Sequence, residues 1–507
     1  MDDNHSYEVK ISEKLFDDLD MSFLGKMGSK DILEKYLTCN PDIIKERHLI
    51  FKELSSKRKF ADFIDDVLLK TESLISLLKE GKKYTLRESG NNERKFTSFR
   101  ELLFFTECID TLSEGAKSFK NNVSSKFFSD IFDYSESVAE SLWYKNAKLY
   151  IEKTADEIKN IKSLSLGVNL NAQLGVKEFS IISFNSDYYR TNSIFDKLFS
   201  KNIANKDYVC IAPVCGDAGS FSGYSLDVFN NALYRAISSV AGDSISKIRK
   251  NFFDIFCDNT YFLISRYDDI KFICLSYRYI VSMEACGLPV CFPEISEEYS
   301  VSGIYNPNFA GDIESKRIVK NDVTFDNNGK IYILTGANSG GKTAFLRSVG
   351  IAQVLFQLGL PVPAKNAKMQ IFTNIFSHFA SKIKDIQGGR FENECRNIMD
   401  FYNDISSDTL LLLDEMFSTT SSFEGGIISA HVLKKLALSG CKCIYTTHLH
   451  ELAYKADEIN ASADIKSRID NLSAQVTDGI CTYKILRKRD NYGSLADAIC
   501  KKYGFLT

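Results

Sequence analysis

The stretch Ile331-Tyr-Ile-Leu-Thr-Gly-Ala-Asn-Ser-Gly-Gly-Lys-Thr343 decides the fold of this chain. An apolar run, Ile331 to Leu334, leads into the pattern Gly336-x-x-x-x-Gly341-Lys342-Thr343, and a helical segment begins near Ala344. A strand that passes through a glycine-rich turn into a helix is the pattern of a phosphate-binding loop. The stretch therefore predicts a nucleotide-binding α/β domain.

The residue types in this loop each suit one part of a nucleotide. Glycines allow backbone N–H groups to converge on phosphate oxygens at the start of a helix. The lysine supplies a positive charge to the β and γ oxygens, and the threonine hydroxyl ligates Mg²⁺. The expected ligands are ATP and Mg²⁺, and the predicted nucleotide-binding residues are Gly336, Ala337, Asn338, Ser339, Gly340, Gly341, Lys342 and Thr343.

Two further apolar runs end in polar residues that suit hydrolysis. Leu410 to Leu413 is followed by Asp414 and Glu415, and the carboxyl ends of strands in an open α/β sheet form the ligand-binding edge. We expect Asp414, with Thr343, to support Mg²⁺ and Glu415 to polarise the attacking water. A third run ends at His448, which is either a sensor of the γ-phosphate or a structural histidine. The predicted catalytic residues are Glu415, Lys342 and His448.

Composition limits the class of protein. The chain has 507 residues, of which 44% are hydrophobic and only 7 are prolines, and this excludes a disordered chain, a collagen-like chain and a small disulfide scaffold. The 63 Lys and Arg residues and 66 Asp and Glu residues give a formal net charge of -3. Any contact with nucleic acid must therefore be local.

The cysteines and the N-terminus predict a cellular location. The 13 cysteines include no Cys-x-x-Cys pair of the kind that structural zinc sites use, so we expect reduced thiols. The N-terminal segment is acidic and lacks an apolar signal region, and no run approaches the roughly 18 apolar residues that a membrane span needs. The sequence thus predicts a soluble cytoplasmic protein without a membrane partner.

Hydrophobic periodicity predicts a mixed fold, in which an α-helical region with a small β insertion is followed by an α/β phosphate-loop domain. The β insertion is predicted as a hairpin because Leu164 to Leu170 alternates apolar and polar residues. Alternating strands and helices in the last part favour a parallel sheet. The predicted parts are 1–163 (helical), 164–224 (hairpin-containing), 225–299 (helical) and 300–507 (α/β).

One basic stretch could contact DNA. Gly81 to Arg100 interrupts the helical pattern and interleaves basic with aromatic residues. It is either a phosphate-contacting loop or a solvated turn between helices, since charge runs are usually solvated. The candidate DNA contacts are Lys82, Lys83, Arg94 and Lys95.

The last 200 residues or so resemble the MutS family of DNA mismatch-repair ATPases, which are related to ABC-type and SMC ATPases. Three motifs carry the resemblance: Thr335 to Thr343 is similar to the family's phosphate loop, Asp414-Glu415 is followed by a similar Thr420-Ser-Ser-Phe-Glu-Gly425 segment, and Thr446-Thr-His448 is similar to its Ala-Thr-His. The choice of His448 over His450 rests on this resemblance. The helical parts, including Gly167 to Leu174, look like the family's core and lever regions, with weaker motifs.

The resemblance implies a homodimer or heterodimer whose ATPase domains enclose two ATP molecules and whose helical arms move with nucleotide state. It implies duplex or branched DNA as the ligand, in repair or recombination. The alternative is a nucleotide-gated protein-interaction module that binds no DNA. A small-molecule kinase is disfavoured because the Asp414-Glu415 pair suits hydrolysis.

The sequence also departs from the family pattern. Where the family has a Ser-Thr-Phe signature that reaches the partner's nucleotide, this chain has Gly389-Arg390-Phe391 followed by Glu394, so the signature hydroxyls are missing. The backbone N–H groups of Gly388 and Gly389 could still reach a γ-phosphate, and the signature candidates are Gly388, Gly389 and Arg390. Ile318 stands where the family has an aromatic residue stacked on adenine, which implies looser base recognition. With roughly 300 residues before the ATPase domain, we expect no mismatch-reading or connector domain and only a shortened clamp domain.

Overall fold

The computed structural model describes residues 7–85, 91–159, 161–174, 176–188, 212–215, 242–337, 339–379, 390–417, 420–477 and 480–489. The chain divides into two compact units. The first comprises Met1–Lys57 and Phe272–Thr507, and the second comprises Arg58–Lys271.

Helices and strands alternate in the manner of a mixed fold. The helices are α1 (Leu15–Leu19), α2 (Lys30–Tyr36), α3 (Pro41–Ser56), α4 (Arg58–Thr85), α5 (Asn91–Phe119), α6 (Lys126–Glu140), α7 (Leu142–Lys159), α8 (Gly242–Ala285), α9 (Lys342–Gln357), α10 (Arg390–Tyr402), α11 (Ser422–Ser439) and α12 (Leu452–Asn460). The strands are β1 (Lys10–Ile11), β2 (Ser163–Leu170), β3 (Val176–Asn185), β4 (Ala212–Cys215), β5 (Glu294–Ile295), β6 (Tyr299–Ile304), β7 (Asn321–Phe325), β8 (Ile331–Thr335), β9 (Asn366–Met369), β10 (Asn374–Phe379), β11 (Thr409–Asp414), β12 (Lys442–Thr446), β13 (Ile469–Thr477) and β14 (Ile480–Leu486).

A seven-stranded sheet forms the centre of the first unit. Its order is β1-β10-β11-β12-β8-β13-β14, and every neighbouring pair is parallel except β13 and β14. Strands β8, β11 and β12 are buried along their whole length, as expected for parallel strands that are covered on both faces. A smaller sheet of order β5-β9-β6-β7 lies in the same unit.

The N-terminal segment belongs to the α/β unit, whereas the sequence predicted residues 1–163 as one helical part. Strand β1 pairs with the edge strand β10, and α1 packs so closely on α9 that a Cβ added to Gly350 would lie 2.4 Å from Leu19 Cδ2. Arg47 on α3 donates a hydrogen bond to the Leu358 carbonyl oxygen at 3.1 Å. A two-residue strand has no periodicity of its own, so the hydrophobic pattern could not reveal this division.

The second unit combines helices with a small sheet. Helices α4 and α5 approach closely, because a Cβ at Gly115 would overlap the Phe63 ring. Strands β2 and β3 form an antiparallel hairpin at the place where the sequence predicted one. Strand β4, which the sequence did not predict, joins the other side of β3.

The predicted basic loop is shorter in the structure. Helix α4 continues to Thr85 and α5 starts at Asn91, so all four candidate DNA contacts lie on helices rather than within a loop of 20 residues. A single glycine at position 81 did not end α4, because a helix tolerates one interior glycine at a cost of about 1 kcal/mol. The side chains of these four residues lie outside the described part of the structure.

Two chemical features of the surface and interior follow from the described residues. The cysteines at positions 39, 108, 274, 286, 291, 395, 441, 443 and 481 are free thiols. Within the described ranges, no helix has both the length and the apolar character that crossing a bilayer requires.

Candidate functional site

Three neighbouring strands bring the predicted site residues to one edge of the large sheet. Strands β8, β12 and β11 run parallel, so their carboxyl ends meet at the same edge, where ligands bind in open α/β sheets. The glycine-rich loop follows β8, Asp414 ends β11, and Thr446 ends β12. Residues far apart in sequence therefore converge beside the start of α9.

The loop backbone adopts conformations that favour glycine. Gly336 and Gly341 have φ angles of 133° and 89°, which side chains rarely adopt. A Cβ on Gly336 would also lie 2.8 Å from the Ala474 Cβ on β13. Gly341 is the N-cap of α9, so the unpaired N–H groups of the first helical turn face the loop. Asn338 lies outside the described residues.

Lys342 folds back over this loop. Its Nζ donates hydrogen bonds to the carbonyl oxygens of Gly336 at 2.9 Å and Ala337 at 3.2 Å. The same nitrogen lies 3.7 Å from Glu415 Oε1, and the Lys342 side chain is 5% exposed. Burial lowers the pKa of the Lys342 ammonium, while the carboxylates of Glu415 and Asp414 oppose that shift. The buried ammonium is thus satisfied by two carbonyl oxygens of its own loop and by the Glu415 carboxylate.

Asp414 is held by hydroxyl groups on both of its oxygens. Thr343 Oγ1 donates to Asp414 Oδ2 at 2.9 Å, and the Thr446 hydroxyl donates to Asp414 Oδ1. A hydroxyl and a carboxylate that converge beside a phosphate loop are the hard oxygen ligands that Mg²⁺ uses, together with waters and phosphate oxygens. Thr343 and Asp414 thus fit the metal role that the sequence predicts for them.

Glu415 stands immediately after this pair. Its backbone N–H donates to the Thr446 carbonyl oxygen at 3.1 Å and to Thr446 Oγ1 at 3.2 Å. Its φ angle of 47° is unusual for a non-glycine residue. The side chain remains 33% exposed, so a water molecule can reach the carboxylate. The structure therefore brings Lys342, Thr343, Asp414 and Glu415 into one connected group.

His448 lies at the same sheet edge but projects to the surface. Strand β12 ends at Thr446, and Thr447 N donates to the Leu334 carbonyl oxygen at 3.0 Å, which ties this end to β8. The His448 side chain is exposed and that of His450 is half-buried. An exposed ring at this edge can reach a ligand, so the predicted sensor role remains a proposal.

Ile318 and Tyr483 differ in the exposed fraction of their side chains. Ile318 follows a short 3-10 turn, Ser315–Arg317, and is only 7% exposed. Tyr483 on β14 is 52% exposed, and its Cδ1 lies 3.3 Å from the position of a Cβ on Gly341. Asn321 fixes this part of β14, donating to the Tyr483 carbonyl oxygen at 3.2 Å and accepting from Ile485 N at 2.9 Å.

Sequence reasoning therefore missed Tyr483 as a residue at the loop. Its position, 142 residues after Gly341 in the chain, gave no spacing signal. The available hint in the sequence is an aromatic residue in the strand-like run Tyr483 to Leu486. Among the signature candidates, Gly388 and Gly389 lie outside the described residues, and Arg390 begins α10 with a side chain that is likewise undescribed.

Comparison with known proteins identifies this edge of the sheet as part of a family domain. Residues 332–495 match the family model of MutS domain V. This part of the chain belongs to the MutS family. The resemblance that the sequence motifs indicate is thereby confirmed.

Each of the relatives matches less than a third of this chain. It is 38% identical over 152 residues to a DNA mismatch repair protein MutS of Prochlorococcus marinus (strain MIT 9301), a match that covers 29% of the chain and 16% of that relative. It is 32% identical over 161 residues to an Endonuclease MutS2 of Streptococcus equi subsp. equi (strain 4047), covering 31% of the chain and 21% of the relative. An Endonuclease MutS2 of Streptococcus agalactiae serotype Ia is 35% identical over 144 residues, covering 28% and 18%. The chain thus spans about a fifth or less of the length of these relatives.

Proposed function

We propose that this MutS-family chain binds ATP with Mg²⁺ and hydrolyses it to ADP and phosphate. The observation that carries the proposal is the hydrogen bond of 2.9 Å between Thr343 Oγ1 and Asp414 Oδ2, beside a lysine and a half-exposed glutamate at the start of a helix. Separate segments supply these groups, and nucleotide hydrolysis needs all of them together.

The proposed reaction uses mainly electrostatic stabilisation. The loop N–H groups and Lys342, which exchanges the carbonyl oxygens of its own loop for phosphate oxygens, hold the β and γ phosphates. Thr343 and Asp414 would hold Mg²⁺, whose positive charge would stabilise the negative charge that develops on the phosphate. The water oxygen forms a bond to the γ phosphorus as the bond from that phosphorus to the bridging oxygen breaks. ADP leaves with the bonding electrons, and the water proton passes to Glu415.

Other groups border the nucleotide in this proposal. His448 donates a hydrogen bond to the γ-phosphate. Tyr483 offers an exposed aromatic face beside Gly341, whereas the Ile318 side chain is aliphatic and buried. A single aromatic face supports stacking of any base, so we expect weak discrimination between ATP and GTP. The segment from Gly388 to Arg390 is proposed to approach the nucleotide of a partner subunit.

Two substitutions separate binding from hydrolysis. Lys342→Ala removes the only cation of the connected group and should abolish productive nucleotide binding, whereas Glu415→Gln should retain MgATP but lower kcat by at least about a hundredfold. Equilibrium binding of a fluorescent ATP analogue and steady-state phosphate release measure the two effects. Glu458→Gln, which changes an exposed carboxylate on α12, should leave both unchanged. Normal hydrolysis by Glu415→Gln would remove Glu415 as the base.

We further propose that the chain dimerises through its ATPase domains and binds duplex or branched DNA in repair or recombination, without direct mismatch reading. The similarity to a DNA mismatch repair protein and to an endonuclease supports this. The second candidate is a nucleotide-gated protein-interaction module without DNA, which the net charge of -3 favours.

One experiment separates these candidates. The ATPase rate is measured with linear, mismatched and branched duplexes, and sedimentation with and without ATP reports the oligomer. DNA binding led by phosphate contacts should weaken steeply as the salt concentration rises. The slope of log affinity against log salt concentration should become smaller when four residues are changed together to Ala: Lys82, Lys83, Arg94 and Lys95. Hydrolysis indifferent to each duplex, with no binding at low salt, would favour the protein-interaction module.

A further inference from the structure

The turn after β11 has a strained backbone. Glu415 and Phe417 have φ angles of 47° and 60°, although neither is glycine. Each residue in this region costs about 1 to 3 kcal/mol and persists only where its surroundings fix it. The orientation of the Glu415 carboxylate therefore depends on the groups that hold both ends of the three-residue turn.

The two ends of the turn are held by different elements. The Glu415 N–H donates to Thr446 at the end of β12, with distances of 3.1 Å to the carbonyl oxygen and 3.2 Å to Oγ1. The Phe417 N–H donates to Glu394 Oε1 on α10 at 2.7 Å. The Met416 and Phe417 side chains are 2% and 4% exposed, so little freedom remains between the two anchors.

Glu394 is a buried carboxylate in a position set by packing. Its side chain is 8% exposed, and its Oε1 lies 3.5 Å from His378 Nε2 on β10. In the strand register, His378 lies opposite Leu413, the residue before Asp414. Phe391, three residues earlier on α10, contacts the Phe417 ring with centroids 6.0 Å apart. Both a ring contact and a charge-assisted hydrogen bond therefore join α10 to Phe417.

We propose that Glu394 is a positioning residue that couples α10 to Glu415. By accepting the Phe417 N–H, it holds the strained turn in the geometry that aims the Glu415 carboxylate at the attacking water. Helix α10 begins at Arg390, directly after the segment proposed to approach the partner's nucleotide. Loss of the bond between Glu394 and the Phe417 N–H would therefore misalign Glu415. This inference rests on the proposed ATPase function.

A purely structural role makes a different prediction. If Glu394 only satisfied a buried N–H group, its loss would lower stability and leave the kinetics of the folded enzyme unchanged. A positioning role lowers kcat and leaves nucleotide affinity unchanged, because the phosphate loop is not part of the turn. The conservative variant Glu394→Gln retains a carbonyl acceptor for Phe417 N–H and should restore most of the rate.

The experiment compares Glu394→Ala, Glu394→Gln and the control Glu392→Ala in the full chain. Glu392 lies on the same helix and is exposed, with Arg396 as its partner. We expect Glu394→Ala to lower kcat about ten- to a hundredfold, as a small misplacement of a catalytic group does, with an unchanged Kd for MgATP. Glu394→Gln and Glu392→Ala should stay close to the parent chain. An unchanged kcat for Glu394→Ala, in a parent that hydrolyses ATP, would overturn the inference and leave the proposed function intact.

A second readout does not depend on hydrolysis. Hydrogen exchange of the peptide covering residues 411–420, followed by mass spectrometry, reports the protection of the Phe417 N–H. Glu394→Ala should lose that protection and Glu394→Gln should retain it, which supports the coupling even if the parent binds no nucleotide and the proposed function fails. Equal protection in all variants would show that Glu394 does not hold the turn.

Discussion

The buried His48 in the first unit carries a pH dependence. His48 on α3 is 7% exposed, and its ring packs edge-on against Phe292 with centroids 5.3 Å apart. Its Nε2 has no hydrogen-bond partner among the described residues. Burial, together with the charge of Lys52, lowers the pKa of His48 to about 4. The folded chain therefore holds this ring neutral.

A lowered histidine pKa makes folding sensitive to acid. The contribution of the neutral His48 ring to the free energy of unfolding is complete above the unfolded pKa of 6.5. It is lost as the pH falls through about 4. Over that range the loss should amount to about 3 kcal/mol. Thermal unfolding between pH 7 and pH 4 should show a smaller decline in Tm for His48→Leu than for the parent chain.

The exposed His431 on α11 provides the matched control for this titration. His431→Gln should follow the pH dependence of the parent, because folding leaves this ring in contact with water. Parallel Tm profiles for the parent and His48→Leu would show that His48 is not the responsible group.

At the scale of elements, close packing fixes the N-terminal helix on the sheet. Gly350 on α9 faces α1, and an added Cβ would lie 2.4 Å from Leu19 Cδ2 and 2.6 Å from Leu412 Cδ1. Arg347 on the same helix donates from Nε to the Asp18 carbonyl oxygen at 2.8 Å. The lack of a side chain at position 350 therefore allows α1, α9 and β11 to meet.

Gly350→Ala should destabilise the first unit, although alanine favours helices. Overpacking of this kind costs about 1 to 3 kcal/mol, more than the gain of up to about 1 kcal/mol in helix propensity. Gly426→Ala on α11 is the control, because a Cβ there meets no atom within 4 Å and should raise stability. Denaturant unfolding measures both, and equal stabilisation by the two alanines would contradict the packing argument.

At the scale of the whole molecule, the first unit is built from two distant parts of the chain. Residues before Lys57 supply strand β1 and the fully buried side chains of Leu15, Leu19, Ile44 and Phe51. Without them, a fragment of residues 272–507 would expose the surfaces that these side chains cover. We expect that fragment to aggregate or to unfold without a cooperative transition.

Supplying the missing part in trans should restore the fold. When residues 1–57 are produced together with 272–507, the two fragments should copurify and unfold in one transition. A version of residues 1–57 carrying Leu19→Asp serves as the control and should fail to copurify. If 272–507 alone unfolds cooperatively with the same Tm as the pair, the N-terminal segment is not part of this unit.

Part of the candidate site could be predicted from the sequence because its groups are contiguous. The loop from Gly336 to Thr343 places a turn, a lysine and a hydroxyl within a few residues, and Asp414 and Glu415 directly end an apolar strand. Local chemistry of this kind is independent of the rest of the fold. The strands β8, β11 and β12 were predicted to within about two residues for the same reason.

The tertiary structure alone decided which distant residues join those groups. Thr446 reaches Asp414 and Glu415 from the next strand, Glu394 reaches the Phe417 N–H from α10, and Tyr483 reaches Gly341 from β14. The tertiary structure also decided the place of β1, whose pairing with β10 makes the N-terminal segment part of the α/β unit. The sequence by itself determined the chemistry of the site, because contiguous residues carry it. The residues that hold those groups in place, such as Thr446 and Glu394, are brought there by strand order and helix packing, which no local sequence pattern encodes.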